Sequence, residues 1–205
     1  MSATGQIPPD PTLAELRKLA AGCKACDLWH DATQTVFGEG AENPEVVLVG
    51  EQPGNQEDLQ GKPFVGPAGR ILDQALEQAG IDRGAVYITN AVKHFKWIRK
   101  GKLRIHKKPR AEEIEACRPW LDAEIALNRP KVIVCLGATA AQALLGSKFR
   151  LTQHHGEFIS TPEKPPITAT LHPSAVLRAP SEEARHTMME QLVRDLKAVA
   201  RKLDR

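Results

Sequence analysis

The run Val46-Val47-Leu48-Val49 feeds directly into Gly50-Glu51-Gln52-Pro53-Gly54, and that junction constrains the fold more than any other stretch. Four consecutive apolar residues, rich in β-branched types, read as a strand buried on both faces, as in a parallel sheet. The Gly/Pro loop cannot extend the strand. It continues to Gly61-Lys62-Pro63-Phe64-Val65-Gly66-Pro67-Ala68-Gly69 before a helical pattern begins. From Ala68 to Ala79 the residues Ile71, Leu72, Ala75, Leu76 and Ala79 form one stripe, and Gly80 is a stop signal. Strand, loop, helix is the unit of a sheet covered on both faces. Ligands in such folds sit beyond the carboxyl ends of strands, so this loop is the first candidate site.

The pattern recurs. Val86 to Val92 reads as a second strand with Asn90 near its end, Lys131 to Leu136 as a third, and Ile167 to Leu171 as another, running into His172-Pro173-Ser174. Glu157 to Ser160 is a further strand candidate. Helices are expected at Thr12 to Ala21, with Thr12 as N-cap, and at Ala111 to Asn128, where Pro119 should kink the rod. Others are expected at Gly137 to Leu145 and after Ser181. The alternation predicts a three-layer α/β/α domain with a central, mostly parallel sheet, over residues 12–205 behind a flexible N-terminal arm, residues 1–11. Glu51, Asn90 and His172 each fall at a strand's carboxyl end, which points to one cleft.

The net charge of +3 hides an asymmetry. Between Lys93 and Arg110 stand nine of the 28 Lys/Arg and no acid; the other 19 face 25 Asp/Glu. So concentrated a positive segment suits a polyanion, and Phe95 and Trp97 within it suit nucleic acid. The bland alternative is a solvated, mobile basic loop. No apolar run approaches the roughly 20 residues of a membrane helix, and the polar start has no signal-peptide core. The chain reads as a soluble, cytoplasmic, monomeric protein.

Four cysteines occur: the pair Cys23-x2-Cys26, then Cys117 and Cys135. A disulfide framework is out of place in a cytoplasmic domain of this size. Taken by themselves, the residues leave an iron–sulfur cluster, structural zinc and simple burial about equally open.

Gly-Glu-Gln-Pro-Gly, a following Glu57-Asp58, and Gly61-Lys62-Pro63-Phe64-Val65-Gly66 together resemble motif one of the uracil-DNA glycosylase superfamily, in its iron–sulfur, family 4-like branch. Gln52 stands where that branch has Ala. With the insert Gly101-Lys102-Leu103-Arg104-Ile105-His106, this resembles UdgX, a member that stays covalently attached to its DNA. The resemblance implies a [4Fe–4S] cluster on Cys23, Cys26, Cys117 and Cys135. It implies Phe64 as the platform stacking on uracil, Asn90 as the reader of its edge, and His172 as a donor to its O2. Glu51 would stabilise the cationic sugar or orient the attacking group. His106 would be the nucleophile, Arg104 the loop's internal anchor, and Gln52 a clasp holding the loop closed. Asp58 and Ser174 complete the expected substrate-binding set, Ser174 on phosphate. Leu103 departs from the usual Lys-Arg-Arg-Ile-His loop. The implied partner is uracil-containing DNA, single- or double-stranded, with free uracil as product.

Two further readings stay open: a conventional hydrolytic glycosylase with turnover, and a non-catalytic iron–sulfur nucleic-acid-binding module. A nucleotide phosphate-transfer enzyme is disfavoured, since no Walker-type Lys-Ser/Thr follows the glycines.

Overall fold

The computed structural model describes residues 2–204. Its strands are β1 (Glu39–Gly40), β2 (Val46–Gly50), β3 (Val86–Asn90), β4 (Trp97–Lys100), β5 (Leu103–His106), β6 (Val132–Leu136), β7 (Ile159–Thr161) and β8 (Lys164–Thr170). Its helices are α1 (Leu13–Ala20), α2 (Asn55–Gln60), α3 (Pro67–Ala79), α4 (Ala111–Asn128), α5 (Ala138–Leu145), α6 (Leu151–His154), α7 (Pro173–Leu177) and α8 (Glu182–Leu203). Six strands form one sheet in the order β1-β3-β2-β6-β8-β7. The central four are parallel, and the short edge strands β1 and β7 run antiparallel.

The period-2 geometry of a strand distributes the sheet's side chains between two cores. Val46, Leu48, Ile88 and Val134 pack under α3 and α8, against Leu72, Leu76, Leu192 and Leu196. Val47, Val49, Ile133 and Cys135 face the opposite way, against Leu121 and Ile125 of α4 and Ala140 and Leu144 of α5. This is the expected three-layer α/β/α arrangement. Local signals set the helix ends. Thr12 and Glu15 exchange capping-box hydrogen bonds at α1, Gly80 ends α3 in the left-handed region at φ 76°, and Ser181 Oγ accepts from Ala184 N–H at α8. Helix α4 continues past Pro119 to Asn128 as one element.

Three features differ from the sequence expectation. The basic segment is not a loop. Trp97–Lys100 and Leu103–His106 pair as a two-stranded antiparallel hairpin, turned at Gly101 (φ 61°). The motif loop contains the one-and-a-half-turn helix α2. The N-terminal arm does not hang free. Ala3 is fully buried in a third core with Leu16, Ala20, Phe37 and Trp120, because a short 3-10 turn at Ala3–Gln6 lays it against α4.

Candidate active site

The carboxyl ends of the four parallel strands open into a cleft of about 440 Å³. β2 contributes Glu51 and Gln52, β3 Asn90, β6 the turn Leu136-Gly137, and β8 His172 and Ser174. Phe64 comes from the loop between α2 and α3, and His106 from the last position of the hairpin. The floor depends on Gly50. A Cβ there would overlap Asn90 Oδ1 and stand 2.7 Å from Phe64 Cζ, so only glycine lets both side chains reach the cleft. Phe64 itself has φ 54°, a backbone region costly for an aromatic residue and tolerated where the surroundings impose it. Its ring lies 5.7 Å from that of His172.

Asn90 is 2% exposed, and its Oδ1 is a buried acceptor without a hydrogen-bond partner. A buried orphan acceptor costs about 1–3 kcal/mol unless a ligand supplies the donor. His172 presents the complementary group. Its Nδ1 accepts from the Ser174 N–H at 3.1 Å and lies 2.8 Å from Ser174 Oγ. A nitrogen that accepts is unprotonated, so the neutral ring carries its proton on Nε2. Burial pushes the imidazole down to about 4, against the pull of the Glu51 carboxylate. At neutral pH His172 is therefore an uncharged N–H donor.

Glu51 accepts a short hydrogen bond from Thr139 Oγ1, and His106 Nε2 lies 3.3 Å from its other oxygen. Burial works to raise the Glu51 carboxyl, but the hydrogen bonds from His106 and Thr139 outweigh it and hold the group below its ordinary range. The result is a carboxylate aimed at an imidazole that is itself half exposed. The hairpin carrying that imidazole is tied down from two sides. Gln52 Nε2 donates to Lys96 O at 3.2 Å and Lys107 O at 3.0 Å, while its Oε1 accepts from Lys96 N–H at 3.1 Å. Arg104 donates to Asp58 Oδ2 at 2.6 Å and Asn55 Oδ1 at 2.7 Å.

Those contacts correct one expected binding residue. Asp58 is fully buried and spent on Arg104 and the Thr33 N–H, so it braces the hairpin and does not line the cleft. Arg104 points at Asp58, the position of an internal anchor. The basic segment also needs sorting. Phe95 is 1% exposed, a core residue under Arg104 and beside His106, not a stacking surface. Trp97 donates its indole N–H to Asp31 O. Lys93 is buried against Glu124, and Lys96 and Arg110 both engage Glu113. Sequence reading missed Thr139, Lys108 and Arg178, all of which line the cleft. The Gly137-Ala138-Thr139 helix start after a buried strand was the available signal for Thr139.

The cysteines divide. Cys23, Cys26 and Cys117 share the third core, close enough that Cys23 and Cys26 both act to raise the Cys117 thiol. Two N–H groups already point at these sulfurs: Trp120 Nε1 at 3.2 Å from Cys23 Sγ, and Lys93 N at 3.3 Å from Cys117 Sγ. Three thiols with N–H donors fit an iron–sulfur cluster, whose thiolates are commonly hydrogen-bonded. Cys135 does not join them. It sits on β6 in the core under α4 and α5, its thiol pushed up to about 12 by burial, with no other sulfur acting on it. The expected four-cysteine set fails there because β6 places residue 135 in the core under α4 and α5, separate from the one that holds the other three. Among the described residues, no three His, Cys, Asp or Glu side chains close around a single-ion position. His94, left as structural by the sequence, is buried beside Lys93; its Nε2 lies 3.0 Å from Thr35 Oγ1, and burial pushes its ring down to about 4.

Comparison with known proteins accounts for this geometry. The profile of the uracil DNA glycosylase superfamily matches residues 37–197. The type-4 uracil-DNA glycosylase of Thermotoga maritima is 39% identical over 171 residues, covering 83% of this chain and 85% of the relative. That of Pyrobaculum aerophilum is 36% identical over 176 residues, covering 82% and 86%. A type-5 uracil-DNA glycosylase from the same organism is 28% identical over 184 residues, covering 80% and 76%. With its strand-end cleft and a profile match spanning most of the sheet, the chain belongs to the uracil DNA glycosylase superfamily.

Proposed function

We propose that the protein cleaves the N-glycosidic bond of deoxyuridine in DNA and that His106 then captures C1′ of the abasic sugar as a covalent adduct. Family membership and the type-4 relatives support the glycosylase half. The capture half rests on one observation: the nucleophile-capable imidazole of His106 meets the Glu51 carboxylate inside the cleft, on a hairpin clasped by Gln52.

A base inside a duplex must leave the stack before this bond is reached. In the cleft, uracil stacks on Phe64. The orphan Oδ1 of Asn90 accepts from N3–H, and the amide nitrogen donates to O4. Cytosine reverses both polarities and leaves buried groups unpaired, which discriminates by about 10⁴ or more. His172 Nε2–H donates to O2. As the C1′–N1 bond breaks, its electron pair goes to uracil N1, and the N–H donor stabilises the anion that forms. The sugar becomes an oxocarbenium ion, stabilised by Glu51. A lone pair of the His106 imidazole forms the new C1′–N bond, the ring's own N–H proton passes to Glu51 or solvent, and uracil is protonated by water. The adduct is an N-glycoside with a poor leaving group, so hydrolysis is slow.

A second reading, in which water attacks and the enzyme turns over, is equally compatible with relatives named as uracil-DNA glycosylases. A denaturing gel with a uracil-containing oligonucleotide separates the two. Capture gives a band resistant to heat and detergent, which His106→Ser abolishes while uracil release persists. An unmodified chain that yields only alkali-labile product establishes turnover and removes capture. A [4Fe–4S] cluster would be held by Cys23, Cys26 and Cys117, with His94 as the buried nitrogen donor next to the Cys117 sulfur's N–H partner. Cys23, Cys26 and Cys117, so joined, would tie α1 and the N-terminal turn to α4, a structural role.

A further inference from the structure

Lys93 belongs to the basic segment by sequence, yet its side chain is 1% exposed. Its ammonium donates to Thr89 Oγ1 at 2.7 Å, to the Asn90 backbone oxygen at 2.7 Å and, by a short contact, to Glu124 Oε2. All three protons are used. Glu124, fully buried on α4, also accepts from Tyr87 Oη at 2.8 Å, from the Gly38 N–H at 2.9 Å and from Thr89 Oγ1 at 2.9 Å. A buried ion pair is a poor source of stability, because desolvating two charges offsets their attraction. Apolar residues of similar volume would serve the core as well. The location of this pair suggests another use.

β3 ends at Asn90, where the ladder stops. The peptide unit joining Asn90 to Ala91 is gripped at both ends: its oxygen by Lys93 Nζ, its N–H by Gly50 O at 2.9 Å. With that plane fixed, only side-chain torsions remain to direct the Asn90 amide, whose Oδ1 stands unpartnered in the cleft. We infer that Lys93, held by Glu124, is a positioning residue that sets the Asn90 amide for reading the pyrimidine edge. The inference rests on the uracil-reading role given to Asn90 above. Neither residue of the pair touches the ligand; the pair acts through the Asn90 backbone.

The test is the double variant Lys93→Met/Glu124→Gln, which removes both charges and keeps the volume. The readouts are single-turnover uracil release, inhibition of that release by free uracil, and affinity for an oligonucleotide carrying a tetrahydrofuran abasic analogue. The analogue has no base to read. A mispositioned amide weakens uracil inhibition and slows release by about tenfold or more, the scale of one buried hydrogen bond to ligand, and leaves the analogue's affinity unchanged. A merely structural role lowers the active fraction, which moves neither dissociation constant. Unchanged uracil inhibition in a folded double variant overturns the inference. Should that variant not fold, Thr89→Val, which deletes the hydroxyl linking the two charges, decides: a several-fold loss in uracil inhibition sustains the inference, and none overturns it. If the unmodified chain releases no uracil, the reading of function falls and takes this inference with it. Release by the unmodified chain with an unaltered variant defeats this inference alone.

Discussion

Replacing Gln52 by alanine isolates what the clasp on the hairpin contributes. The side chain is 6% exposed and makes three hydrogen bonds to the hairpin backbone, at 3.0, 3.1 and 3.2 Å. Each net bond contributes about 0.5–1.5 kcal/mol. The backbone groups of Lys96 and Lys107 regain water when the hairpin lifts, so the lower half of the summed range applies, about 2 kcal/mol. That corresponds to about a 30-fold shift in the equilibrium between docked and lifted hairpin. Phe64, Asn90 and His172 do not depend on Gln52, so uracil release should persist. Under the proposed capture, what changes is the partition of the oxocarbenium ion between His106 and water. A denaturing gel resolved in time measures it directly, as the ratio of adduct to alkali-labile product. The expected outcome is a shift toward water of up to about 30-fold. An unchanged ratio refutes the reasoning, because the hairpin would then be held by the Arg104–Asp58 contact alone or His106 would not be the nucleophile.

Other outcomes follow from the same geometry. The His172 ring is depressed to about 4 from its ordinary 6.5, so it stays neutral above about pH 5. Uracil release should hold steady from neutral pH down to that point and fall as pH approaches 4. The stability that neutral burial represents is present above about 6.5 and is lost as pH falls through this window, so acid-unfolding midpoints should move with His172→Asn. Cys135→Ala should retain iron and visible absorption, whereas Cys117→Ala should lose both; loss of iron on replacing Cys135 would restore the four-cysteine set. Of the basic segment, Lys100, Lys102, Lys107 and Lys108 are exposed and have no acidic partner among the described residues. Replacing all four by alanine should lower the slope of log affinity against log salt by up to about 3 on single-stranded DNA, at about 0.7 per phosphate contact. Replacing Lys93 and Lys96 instead should leave that slope in place.

The sequence by itself determined the layers and the edge of the sheet at which the cleft opens. Buried parallel strands announce themselves as continuous apolar runs, and capping signals such as Thr12, Gly80 and Ser181 act within a turn of where they stand. The strand-end placement of Glu51, Asn90 and His172 was legible for the same reason. The tertiary structure alone decided which charges stay exposed and which sulfurs share a core. Lys93 reads as one cation in a basic run until Glu124, on α4, draws it into the core. Asp58 reads as a substrate carboxylate until Arg104 arrives from the hairpin. Cys135 stands on the α4 side of β6, yet in the core it shares with α5 and not in the one that gathers the other three, and only the packed sheet determines which core a strand's face meets. Local chemistry is written along the chain, but the partners of a buried charge or thiol are set by long-range contacts that no short window of residues contains.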